Sequence, residues 1–254
     1  MQTIEVKYRL IPLLPFWRKV NSSVPSGWTE VNANQLISLI RLHKGESDDM
    51  GFLSAFTGIA RRLFKNMAEF HIYMITKTLD WVNEIKPLNE FVIRKIESGN
   101  TVLFSPLPLL KKMTFGQFIF ADTSFSDYLE SQEESDLNKF IASLYLPAGT
   151  EFSDDLISTH LQSISLISLS TREAIVLNYH MIHEWLSDVY PMIFIKSEIK
   201  NKSEIRNSKS NAGWIKIFEQ FVGDDIVNQD KYASLPVHNV LRFLSQRIKQ
   251  NMKR

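Results

Sequence analysis

The sequence predicts a mainly α protein, built of helical bundle units with a small β component. Two observations carry this reading. Apolar residues recur at spacings of three and four along most of the chain, the signature of amphipathic helices. Period-two alternation is confined to the first ten residues, and a pair of β-prone runs flanks a turn only near 90–105. The 254 residues are 44% hydrophobic and 22% charged, enough for one large domain or two small ones.

The elements follow in order. In residues 3–10, Ile4, Val6 and Tyr8 alternate with Glu5, Lys7 and Arg9, so this run reads as a half-buried strand. A turn-rich stretch continues through Asn21, Pro25 and Gly27. Asn32 with Gln35 forms a capping box that opens a helix through His43. After a loop from Gly45 to Asp49, Phe52, Leu53, Phe56, Ile59, Ala60, Leu63 and Phe64 predict one helix over 50–65. Met67 to Ile85 repeats the pattern until Pro87 ends it.

Residues 90–105 read as a hairpin turning at 97–100. Thr114 with Gln117 is a second capping-box candidate, opening a helix at Phe115, where Gly116 costs little in the first turn. Leu137 to Tyr145 forms another helix, closed by Pro147 and Gly149. Ser170 and Glu173 cap the clearest helix, Thr171 to Val189. On its wheel Ala174, Leu177, Met181, Ile182, Trp185 and Val189 form the apolar stripe. Residues 196–212 lose periodicity and read as a flexible basic loop or linker. Helices at Trp214–Val222 and Pro236–Met252 follow. The expected organisation is therefore 1–87, 88–195, the linker, and 213–254 docked on the body. The expected core contains Trp185, Leu177, Met181, Phe140, Leu144, Phe56, Phe64, Leu241 and Leu244.

Composition excludes several chemistries. The chain has no cysteine, hence no disulfide framework, thiolate nucleophile or sulfur-built zinc site. Net charge is +1, so no whole-protein field draws nucleic acid or acidic lipid. The apolar run Leu10–Trp17 is short and broken by Pro12 and Pro15, unlike a signal peptide or spanning helix. Synthesis in the cytosol is expected, without a membrane span.

No phosphate-binding, nucleophile-elbow or zinc-protease motif occurs. His180, His183 and Glu184 are neighbours on one helix, yet the wheel puts them opposite the apolar stripe, as a solvated set. Asn178 lies within that stripe, and a buried amide there predicts a hydrogen bond fixing a neighbouring loop. The adjacent acids Asp48-Asp49, Glu133-Glu134, Asp154-Asp155 and Asp224-Asp225 point apart and suit helix starts better than a two-carboxylate site. No catalytic, cofactor or metal residues are expected.

Charge is uneven along the chain. Asp122–Asp136 holds six acids and no base, while Arg242–Arg254 holds five bases and no acid. These runs nominate Asp127, Glu130, Glu133 and Glu134, with Arg242, Arg247 and Lys249, as electrostatic contacts to another protein. Nucleic-acid binding is the weaker alternative, because the basic clusters lack interleaved aromatics.

The chain carries, in order, Val24-Pro-Ser-Gly-Trp28-Thr-Glu-Val, Leu-Ser-Ala-Phe-Thr-Gly58, Ser105-Pro-Leu-Pro-Leu, Met113-Thr-Phe-Gly-Gln-Phe-Ile-Phe-Ala-Asp122 and Pro236-Val-His-Asn-Val-Leu-Arg-Phe-Leu244. This order of features resembles uncharacterised structural or tail-assembly proteins of tailed bacteriophages. The resemblance implies a non-enzymatic, chaperone-like assembly factor or virion component. Its partners would be phage structural or tape-measure proteins, and its place the host cytoplasm or the virion. The alternatives are a nucleic-acid or head–tail adaptor using the basic C-terminus, and an enzyme without a visible motif.

Overall fold

The computed structural model describes residues 1–9, 16–99, 101–194, 211–223 and 225–252. The chain is mainly α with a small β component, divided into two compact units, 1–88 and 89–254. Nearly all of the expected linker falls outside the described residues, which resume with the helix starting at Asn211.

Unit one begins with a hairpin, β1 (Gln2–Arg9) against β2 (Trp17–Val24), in register from Gln2 opposite Val24 to Arg9 opposite Trp17. The second strand corrects the expected turn-rich stretch. Val20, Ser22 and Val24 face inward with Val6, and the buried Ser22 hydroxyl donates to the Thr57 carbonyl. Helix α1 (Ala33–His43) carries the full Asn32–Gln35 capping box. The expected 50–65 helix is two, α2 (Asp49–Thr57) and α3 (Arg61–Phe64). Gly58 ends α2 at φ 69, a left-handed cap that other residues disfavour. The expected 67–85 helix is likewise shorter: α4 (Glu69–Thr78) gives way to a single 3₁₀ turn at Asp80–Asn83. Here Trp28 and Trp81 meet edge to face at 5.3 Å, and the Trp28 indole donates to the Glu84 carbonyl at 2.8 Å.

Unit two opens with Phe91 and Ile93, both buried, before β3 (Lys95–Ser98) and β4 (Thr101–Phe104). A two-residue strand, β5 (Leu146–Pro147), adds to β4 where only a helix end was expected. The helices are α5 (Phe115–Ser131), α6 (Glu134–Leu144), α7 (Asp154–Ser165), α8 (Leu169–Val189), α9 (Asn211–Val222), α10 (Gln229–Ala233) and α11 (Val237–Asn251). Thr114 caps α5 as expected, but the Gln117 side chain donates across to the Ser143 carbonyl at 3.0 Å instead of closing the box. Gly116 has a packing reason: a Cβ there would sit 3.3 Å from the Ala233 carbonyl oxygen. Helix α8 starts earlier than expected, capped by Ser168 on the Thr171 amide, not by Ser170.

The expected core largely holds, with a correction on α8. Met181, Phe140, Leu144, Phe56, Phe64, Leu241 and Leu244 are buried. Leu177 and Trp185 are only half-buried and Val189 is exposed, while Ile175, Tyr179 and Leu186 are buried. The buried arc is rotated because Tyr179 packs against Phe91, Phe125 and Phe140.

Candidate functional site

The most concentrated chemistry in unit two surrounds Asp122. Phe115, Phe118, Asp122 and Phe125 recur at helical spacing and turn inward together, which carries a carboxylate into the core. Its Oδ1 accepts from the Tyr179 hydroxyl at 3.0 Å and its Oδ2 from the Trp214 indole N–H at 2.6 Å. His183 Nε2 lies 3.6 Å from Oδ1, with its ring edge-on to Phe194 and stacked on Phe125. Burial pushes the Tyr179 phenol well above its ordinary range, and the neighbouring carboxylate adds to this. A general base must reach the proton it removes. Both oxygens here are engaged by buried donors, so the carboxylate ties α5, α8 and α9 together.

This corrects two expectations. Asp122 is not a surface charge of the acidic run but a core acceptor. His183 is not solvated with His180 and Glu184 but turned onto Asp122, and burial lowers the pKa of His180. Among the described residues no group of three or more His, Asp or Glu could hold a metal ion.

Other buried polar groups make comparable ties. Asn178 behaves as its place in the stripe predicts: Oδ1 accepts from the Val92 amide at 2.5 Å and Nδ2 donates to the Glu90 carbonyl at 3.2 Å. Buried Arg172 pairs with Glu134 at 2.6 Å and donates to Asn138 at 2.6 Å. His238 accepts from or donates to the Tyr190 hydroxyl at 2.8 Å and meets the Leu109 carbonyl at 2.6 Å. That carbonyl belongs to a segment where Leu109, Leu110 and Lys112 all have left-handed φ, between 48 and 65. Such residues persist only where the surroundings hold them.

The charged residues nominated from sequence are spread over unit two. Asp127 and Glu130 lie in the last turns of α5, and Glu133 precedes α6. Glu134, in the first turn of α6, is half of the Arg172 ion pair. Arg242, Arg247 and Lys249 are exposed on α11, with Arg242 near Tyr190.

Unit one presents an open concavity. A cavity of about 480 Å³ lies between α1, α2, α4 and the 3₁₀ turn. Leu39, Leu42, Phe52, Leu53, Ile72 and Leu79 are among its apolar walls, and His43, Asp49, Asp80 and Asn83 supply polar groups. This size falls within the range of ligand pockets. Beside it α4 turns an apolar stripe to solvent: Phe70 is 65% exposed, Tyr73 58% and Met74 47%. At 100° per residue, Tyr73 sits 60° round the helix from Thr76 on the cavity rim, so wall and stripe are adjacent faces.

These residues were missed in the sequence. The available signal was that α4 is apolar on two faces, Ile72, Ile75 and Leu79 on one and Phe70, Tyr73 and Met74 on the other. One core cannot absorb both.

The chain matches no protein-family model, no curated protein and no solved structure. Among the described residues no helix is long and apolar enough to cross a membrane.

Proposed function

We propose that this protein acts by binding another protein, and that its setting is the assembly of a tailed bacteriophage. The observation that carries the binding reading is the cavity of unit one together with the exposed Phe70–Tyr73–Met74 stripe. A helix laid in a groove uses such a pair of features, an anchor pocket and a flanking apolar face. Support for the phage setting is the resemblance in the sequence alone, and it favours a structural or tape-measure segment as partner. The exposed charges Arg242, Arg247, Lys249, Glu130 and Glu133 would add orientation and encounter rate more than affinity.

The test is co-expression with neighbouring virion and tail genes, followed by pull-down. Retention of a virion or tail protein, reduced by Phe70→Ser with Tyr73→Ser, is the expected result. Retention of none, together with small-molecule turnover by the purified protein, overturns the reading in favour of an enzyme.

A second reading, a nucleic-acid adaptor, gains one specific observation. On the outer face of the hairpin the Arg9 guanidinium lies 4.5 Å from the centre of the exposed Trp17 ring, with Lys7 and Lys19 on the same face. Basic residues beside an exposed aromatic suit single strands. Steeply salt-dependent binding to single-stranded DNA, lost on Trp17→Ala, would favour it.

A further inference from the structure

We infer that the cavity of unit one takes the apolar side chain of a basic amphipathic segment, whose Lys or Arg pairs with Asp49 at the rim. This rests on the protein-binding reading and specifies the chemistry of the partner. The two observations that carry it are the shape of the site and the sign of its edge.

The walls are apolar residues from three helices, too open to be filled by their own side chains. The only charged side chains of fixed sign on its described lining are the carboxylates of Asp49 and Asp80, while Thr76, Asn83 and His43 direct donors to the Ile72, Asp80 and Leu39 carbonyls. Among the described residues no Lys or Arg lines it. Asp80 is paired with Lys77 at 2.8 Å. Asp49 differs from its neighbour Asp48. Asp48 caps α2 on the Gly51 amide at 2.9 Å and pairs with Arg61 at 2.6 Å. The Asp49 side chain is exposed and makes no hydrogen bond or ion pair among the described residues. On the same lining the His43 Nδ1–H donates to the Leu39 carbonyl at 2.9 Å. A carboxylate without a donor among the described residues thus edges a largely apolar hollow.

Charge complementarity selects the occupant. An acidic or neutral segment would bury its apolar residue equally well but leave Asp49 unanswered. A basic one adds an ion pair at a partly exposed rim. The adjacent α4 stripe extends the apolar contact, as a helix longer than one turn requires.

The test uses the full chain and a fluorescein-labelled synthetic helix of Leu and Lys, with Leu/Gln and Leu/Glu versions of the same length. Fluorescence anisotropy should show the Leu/Lys helix binding most tightly, with a preference that falls as sodium chloride is added. Asp49→Asn should weaken that helix by about two- to five-fold, the range of an exposed ion pair. It should leave the Leu/Gln helix unchanged. Asp155→Asn, an equal charge change in unit two, should alter neither. Thr76→Trp fills the hollow from an exposed helical position and should abolish binding of all three. A benzophenone-bearing Leu/Lys helix should crosslink the unmodified chain at Met50 or another wall residue. This readout does not depend on any variant folding. Equal binding of the three helices, insensitivity to Asp49→Asn, or crosslinking only outside the hollow would each overturn the inference. If the Leu/Lys helix fails while pull-down still retains a virion protein, the binding reading stands and this refinement falls. If both fail, both fall.

Discussion

The two units answer the same demand, an interior without water, in different ways. Unit two buries charged and amide groups and bonds them to partners on other elements: Asp122 with Tyr179 and Trp214, Arg172 with Glu134 and Asn138, and Asn178 with the 90–92 backbone. Unit one keeps its carboxylates at the surface, where Asp48 and Glu30 act as caps and clamps, and leaves part of its apolar surface uncovered. A buried polar tie specifies one arrangement, because any other leaves an unmet group. An uncovered apolar face specifies nothing until something lies on it. Unit two is thus fixed by ties between buried polar groups, whereas unit one sets an exposed stripe on α4 beside an apolar hollow.

The largest stability loss is expected at Asp122. Asp122→Ala strands the Tyr179 hydroxyl and the Trp214 indole, and should cost about 3–5 kcal/mol in urea denaturation. Hydrogen exchange should rise in α9 before it rises in α1. An effect below about 1 kcal/mol would show that the network is ornamental and the units alike.

Asn178→Ala should cost about 1–3 kcal/mol, because it leaves one part-buried amide and one part-buried carbonyl of the 90–92 segment without their partner. Unchanged exchange at Val92 would show that Asn178 does not hold the 90–92 segment. Trp185→Ala should cost less, about 1–2 kcal/mol, since the ring is half-buried and not central to the core. A loss above about 3 kcal/mol would place it back in the core.

Acid should loosen the units at different pH. Burial depresses the pKa of His180, so its stabilising contribution is full above 6.5, its ordinary value, and fades as pH falls toward the folded value. In unit one the Met1 amino group, with the Ser26 amide and hydroxyl, lowers Glu30 from 4.5 to about 2. Its contribution is full above 4.5 and lost as pH falls toward 2. Hydrogen exchange during acid titration should therefore increase around α8 first, and His180→Gln should narrow the gap.

The smallest stability effect should come from Phe70→Ser with Tyr73→Ser, within about 0.5 kcal/mol of the parent because both side chains face solvent. A loss above about 1 kcal/mol would mean the stripe is packed and unit one is not the open one.

Local signals were readable in the sequence, and signals that span the chain were not. The α1 capping box and the Asn178 amide each announce themselves: one needs only residues three apart, the other only a polar residue in an apolar stripe. Strand β2 was lost because Asn21, Ser22 and Ser23 look like a turn until β1 pairs with them. The Asp122 network was lost because its donors lie 57 and 92 residues away. The hollow of unit one was lost because a concavity belongs to several helices and to none of them singly.

One tie in unit two has a consequence for synthesis. The Phe115 amide donates to the Leu235 carbonyl at 2.8 Å and the Val237 amide to the Met113 carbonyl at 3.0 Å, which stitches the entry of α5 to the entry of α11. His238, one residue on, then holds the left-handed Leu109 carbonyl. A nascent chain emerging from the ribosome has Met113–Phe115 in hand more than a hundred residues before these partners are made. Unit one has all its parts once residue 88 is out and is free to fold, whereas unit two must wait with aromatic residues such as Phe118 and Phe125 bare. Pauses or truncations between α8 and α11 should thus be the positions at which a growing chain is most prone to aggregate.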